Sequence, residues 1–83
     1  MKTPKWLADR EGDLRRHPDG QSYVVYFLGE PQFLLRPIPV RGKYSCEIEK
    51  MVNGVRLDQG ETYRSVEDAL QGGLEIVRKT LGW

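Results

Sequence analysis

The chain has 83 residues, with 13 Lys plus Arg against 12 Asp plus Glu and a net charge of +1. One domain fits that length, with a modest core and little room for a deep catalytic pocket. The near-zero charge, split as seven basic and five acidic residues before Lys43 and six and seven after, argues against a dedicated nucleic-acid binder. The 39% hydrophobic and 30% charged fractions are those of a chain that folds.

Residues 1–20 read as a short helix or an arm. Thr3 and Pro4 suit the N-cap and first helical position, with Trp6, Leu7 and Leu14 as a thin apolar stripe. Residues His17 to Gly20 read as a turn, and the main domain is expected over 21–83. No apolar segment suited to a secretory leader is visible in residues 1–20.

Ser22 to Leu28 is β-branched and aromatic throughout and predicts a strand, with a turn over Gly29 to Gln32. Phe33 to Arg36 predicts a second strand that extends to Val40. Pro37 and Pro39 lack a ladder donor, so that stretch belongs on an edge or peels off the sheet. After a turn at Arg41-Gly42, Lys43 to Val52 alternates, with Tyr44, Cys46 and Ile48 on one face and Ser45, Glu47 and Glu49 on the other. Asn53-Gly54 is a strong hairpin signal, and counting outward from it pairs Val52 with Val55 and Lys50 with Leu57.

Ser65 is the N-cap of a C-terminal helix, with Asp68 at the capping-box position. Val66, Leu70, Leu74, Val77 and Leu81 recur at helical spacing, and Gly82 suits its stop. Gly72-Gly73 interrupts it at about 1 kcal/mol each against Ala. Gly73 lies on the apolar side, where a missing side chain permits close approach to a sheet. Nothing in the sequence explains Gly72.

The expected fold is α+β: an antiparallel meander of three or four strands, a C-terminal helix on one face and a short N-terminal helix or arm. The expected core is Tyr23, Val25, Phe27, Phe33, Leu35, Tyr44, Cys46, Ile48, Val55, Leu57, Val66, Leu70, Leu74, Val77 and Leu81. The helix covers one sheet face, yet strand 23–28 is apolar on both. Its second face needs cover from the N-terminal segment, a second subunit or a partner. That need makes Tyr23, Val24, Tyr26, Leu28 and Leu34 candidates for an interaction surface. The leading expectation is a non-catalytic protein-interaction or self-association module, with a protein partner or a homodimer.

The residues offer little for catalysis or cofactors. One Cys and one His do not make a metal site. Cys46 sits on the inward side of its strand, where a thiol is a small inert hydrophobe. Glu47, Glu49 and Asp58 read as a solvated sheet face, and no phosphate-cradling glycine loop is present. The expectation is no enzyme, no metal and no cofactor. A single cysteine suits a reducing, cytoplasmic setting, and the longest apolar run is too short to cross a membrane.

Two anion-binding alternatives stand beside this. Arg15, Arg16, Arg36, Arg41 and Lys43 form a basic patch for nucleic acid if the strand ends meet, with Tyr23 and Tyr26 to stack on bases. The order of strands and helix over Lys43 to Leu81, with Tyr63-Arg64-Ser65 at the junction, resembles the arm-type DNA-binding domains of tyrosine integrases. Phe33-Leu34-Leu35-Arg36-Pro37, Gly42-Lys43-Tyr44-Ser45-Cys46 and Tyr63-Arg64-Ser65-Val66 resemble the central part of phosphotyrosine-binding Src-homology domains. That resemblance implies a phosphopeptide module in which Arg36 grips the phosphate, as a bidentate guanidinium can. Gly60-Glu61-Thr62 leading into Ser65-Val66-Glu67-Asp68-Ala69-Leu70 is similar to the start of a helix in HicB-type antitoxins.

Overall fold

The computed structural model describes all 83 residues. In chain order the elements are α1 (Lys5–Ala8), β1 (Gly12–Arg16), β2 (Tyr23–Phe27), β3 (Glu30–Val40), β4 (Lys43–Lys50) and α2 (Val66–Leu81). The strands form one antiparallel sheet in the order β1-β2-β3-β4. α2 packs across β3 and β4, and α1 packs against β1. The fold is the expected α+β meander with a C-terminal helix and a short N-terminal one.

Residues 1–20 are more than an arm, and the sheet begins at Gly12 instead of near residue 21. β1 places Leu14 opposite Val25 at the sheet edge. The loop back to β2 is closed by Asp19, whose carboxylate accepts from the Gln21 and Ser22 amides (2.9 and 2.8 Å) and the Ser22 hydroxyl (2.6 Å). One inward residue is too short an alternation to read as a strand. Thr3 does not cap α1. Its hydroxyl accepts from the Leu14 amide at 3.1 Å and so satisfies a donor on the outer edge of β1.

β2 ends at Phe27, one residue before the expected limit, because Leu28-Gly29 is the turn. Both have positive φ (51° and 81°), as a two-residue type I′ hairpin requires. Arg41-Gly42 repeats that geometry between β3 and β4. β3 runs the full distance to Val40, but β2 accompanies it only as far as the Tyr23–Leu35 pair. Pro37 and Pro39 therefore lie where β3 has become an edge. Tyr44, opposite Pro39, spends both backbone groups on Tyr63, away from β3. The prolines thus occupy positions at which β4 needs no donor.

The turn at Asn53-Gly54 is wider than expected. Ile48 faces Leu57, Glu49 bridges Arg56, and the Lys50 amide donates to Val55. The register is shifted by two residues, which keeps every side chain on its expected face because the strand period is two. α2 is capped as the sequence predicts: Ser65 Oγ accepts from the Asp68 amide at 3.1 Å, and Gly82 ends it at φ 75°.

The core lies between α2 and the sheet. It contains Leu7, Leu14, Tyr23, Val25, Phe33, Leu35, Cys46, Ile48, Ala69, Leu70, Leu74 and Val77. Phe27, Tyr44, Leu57 and Leu81 are only half-buried at its margin. Val55 and Val66 are corrected to exposed: Val55 flanks the wide turn, and Val66 lies in the first turn of α2, beyond the end of β2. Leu7 and Leu14 join the core through the segment expected to be a short helix or an arm.

Candidate functional site

The apolar character of β2 points to the sheet face that α2 leaves open. A row crosses it: Arg15, Val24, Leu34, Glu49 and, beyond β4, Arg56. Val24 and Leu34 are 5% and 9% exposed although no helix lies over them. Their cover is local. The Arg15 guanidinium lies 4.3 Å from the Tyr26 ring centroid and 2.7 Å from the Asp13 carboxylate. Arg36 and Arg56 both reach Glu47 (3.1 and 3.3 Å), and Arg56 also holds Asp58 at 2.6 Å. Long side chains lay their aliphatic stems over apolar floor residues while their heads stay wet. The Arg15 bond holds Asp13 below the usual carboxylate range, and Arg56 does the same to Asp58.

The five interaction candidates do not form one surface. Val24, Tyr26 and Leu34 share the helix-free face, with Val24 and Leu34 already buried and Tyr26 half-buried. Tyr23 is on the opposite face in the core, and Leu28 stands at the tip of the β2–β3 turn. The five basic candidates are dispersed as well. Arg15, Arg36 and Lys43 share the helix-free face, where Asp13 and Glu47 engage the first two. Arg41 is at the β3–β4 turn. Arg16 is on the helix side and donates to the Tyr23 hydroxyl at 3.1 Å.

At the end of the sheet near Leu28, the structure builds a groove of about 500 Å³. Phe27, Leu28, Leu81 and Trp83 supply its apolar lining, and Arg10, Glu11 and Glu30 its charged rim. Trp83 stands edge-on to Phe27 at 5.0 Å and to Trp6 at 6.3 Å, with the Arg10 guanidinium 4.7 Å from its ring. Arg10, Glu11 and Glu30 take part in no ion pair. Leu28 is 74% exposed and holds a left-handed backbone, a conformation a leucine seldom adopts. Sequence reasoning found Leu28 but missed Arg10, Glu30 and Trp83. The available signal was Trp83 itself, an aromatic residue just past a helix-stopping glycine.

A second groove, of about 510 Å³, opens at the opposite end between the start of α2 and the overhang of β3 and β4. Cys46 faces neither groove. It is buried against α2, and burial pushes its thiol up to about 12, so it stays protonated and unreactive at neutral pH. His17 Nδ1 accepts from the Asp19 amide. No three His, Cys, Asp or Glu side chains are grouped to hold a metal ion, and no helix is long and apolar enough to cross a membrane. No protein-family model, curated protein or solved structure matches the chain.

Proposed function

We propose that the protein is a non-catalytic self-association module whose two copies meet at the Leu28–Trp83 end of the sheet. One observation carries this reading: a leucine three-quarters exposed, in a left-handed turn, beside an apolar groove. The hairpin imposes a left-handed backbone that costs about 1–2 kcal/mol for a residue with a Cβ, and in water an exposed leucine there gains nothing that Asn or Gly would not. Burial in a second molecule offsets that cost. A two-fold arrangement places each Leu28 in the other copy's groove, since knob and groove lie on the same patch. The unpaired rim charges are self-complementary, with Arg10 able to meet Glu30 or Glu11 of the other copy.

The non-catalytic part is supported by the state of the reactive groups. The thiol is buried, and Glu47 and Asp58 are engaged by arginines. A buried lone cysteine suits a reducing, cytoplasmic setting. The nucleic-acid and phosphopeptide readings draw less support, because Arg15 and Arg36 already hold carboxylates.

The test is molar mass by light scattering across a wide concentration range. The wild type should approach twice its 9.6 kDa monomer mass, and Leu28→Asn should stay monomeric. Arg10→Glu and Glu30→Arg should each weaken the dimer, and the two together should restore it. A wild type that is monomeric up to millimolar concentration overturns self-association.

A further inference from the structure

The second groove arises from a mismatch in strand length. β2 starts at Tyr23, opposite Leu35, while β3 continues to Val40 with β4 on one side and no strand on the other. The first turn of α2 lies above that gap. The resulting space is walled by Tyr23, Pro37, Pro39, Tyr44, Val66 and Leu70. At about 510 Å³ it falls within the range of small-molecule sites, roughly 300–1,000 Å³. Its strand edge cannot recruit a further strand in the usual way, because Pro37 and Pro39 present no N–H toward the gap. That favours a compact occupant over an added β-strand.

The polar corner of the groove specifies its charge. Tyr23 is 6% exposed. Its hydroxyl accepts from Arg16 at 3.1 Å and from the Met1 amine at 3.4 Å, and its own proton meets no acceptor. Arg16 enters no ion pair. A guanidinium and a phenolic O–H, side by side and both without a carboxylate, are a receptor for one. The pull of Arg16 on Tyr23 also lowers the phenol's pKa, which strengthens it as a donor. The Met1 ammonium and Glu67 line the same groove and likewise enter no ion pair, so with Arg16 its ionised groups leave one net positive charge, which suits a ligand with one negative charge.

We propose that this groove binds a small monocarboxylate with a flat apolar body, its carboxylate on Arg16 and Tyr23 and its body between the two prolines and Leu70. The site is independent of the Leu28 patch and stands whether or not the chain dimerises.

The experiment is a titration of the full chain with 3-phenylpropionate, followed by NMR and calorimetry. Saturable shifts are expected at Tyr23, Tyr44, Leu70 and the Arg16 side chain. 3-Phenylpropionamide, which keeps the body and loses the charge, should bind at least about ten-fold more weakly. Arg16→Gln should lose about as much. Tyr23→Phe, which keeps the ring in the core, should lose a few-fold. Val66→Trp should block the groove with Arg16 untouched. A short peptide ending in a free Phe carboxylate forms a second arm. Tighter binding of the peptide assigns the ligand to a chain terminus, and tighter binding of the free acid to a metabolite-sized molecule; either sustains a carboxylate site. No saturable shift at 10-millimolar scale, or equal binding of the amide, or full binding by folded Arg16→Gln, overturns it.

Discussion

The ring of Tyr63 occupies the space that a side chain on Gly72 would need. One position later, a Cβ on Gly73 would come within 2.6 Å of Cys46 Sγ. The double glycine therefore serves two neighbours. Gly73 lets α2 settle onto β4. Gly72 lets the strap that pairs Tyr63 with Tyr44 fold its ring onto the helix. Together they close the outer edge of β4, which would otherwise present unpaired backbone groups.

Gly73→Ala is expected to destabilise the protein by about 1–3 kcal/mol, as overpacking does, despite a gain in helix propensity of about 1 kcal/mol. Gly72→Ala should cost less, because the tip of the Tyr63 ring can swing outward whereas Cys46 is short and enclosed. Urea denaturation of both variants checks the order, and a Gly73→Ala protein as stable as wild type contradicts the packing argument.

Leu28→Asn should raise monomer stability by about 1 kcal/mol, since Asn tolerates the left-handed region that Leu resists. The same change should abolish association. A residue that weakens the monomer while promoting contact is a signature of function, so the two readouts must move in opposite directions. A variant that is both less stable and still dimeric runs against the proposal.

Stability should fall on the alkaline side. The thiol of Cys46 ionises near 9.0 when unfolded and near 12 when folded. Between those values the folded chain keeps a proton that the unfolded chain has released, so stability is full below pH 9 and declines as pH rises from about 9 to 12. Tyr63, raised from 10.0 to about 12 by burial and by Glu61, adds to the decline in its upper part. Cys46→Ala should flatten the slope between about pH 9 and 10 in urea titrations, below the range in which Tyr63 contributes. An unchanged slope removes Cys46 as its source.

Leu34→Ala should cost about 2 kcal/mol or more, the range for buried leucines, although Leu34 lies on the face that α2 leaves open. Exchanging Glu47 for Gln should cost less, about 0–1 kcal/mol, as partly exposed ion pairs do. Chemical denaturation of the two variants compares floor with cover. A Leu34→Ala cost below that of Glu47→Gln shows that the charged layer does not bury the leucine.

The sequence alone determined the elements whose signals are local. α2 follows from the Ser65 cap, the apolar spacing and the Gly82 stop, all within reach of their own backbone. The Arg41-Gly42 turn and the faces of β4 follow from turn chemistry and a period of two, and they survive even the two-residue shift at Asn53-Gly54. The tertiary structure alone decided the rest. β1 has one inward residue, so only its pairing with β2 marks it as a strand. Gly72 is explained by a ring nine residues earlier in the chain. Val24 and Leu34 looked like a surface awaiting a partner because apolar pattern records what must be covered and not what covers it. Their register neighbours proved to be charged, Arg15 beside Val24 and Glu49 beside Leu34. Arg10, Glu30 and Trp83 carry no shared local pattern. They meet only because the segment after α1, the β2–β3 turn and the C-terminal residues converge at one end of the sheet, and such convergence is set by packing between distant segments.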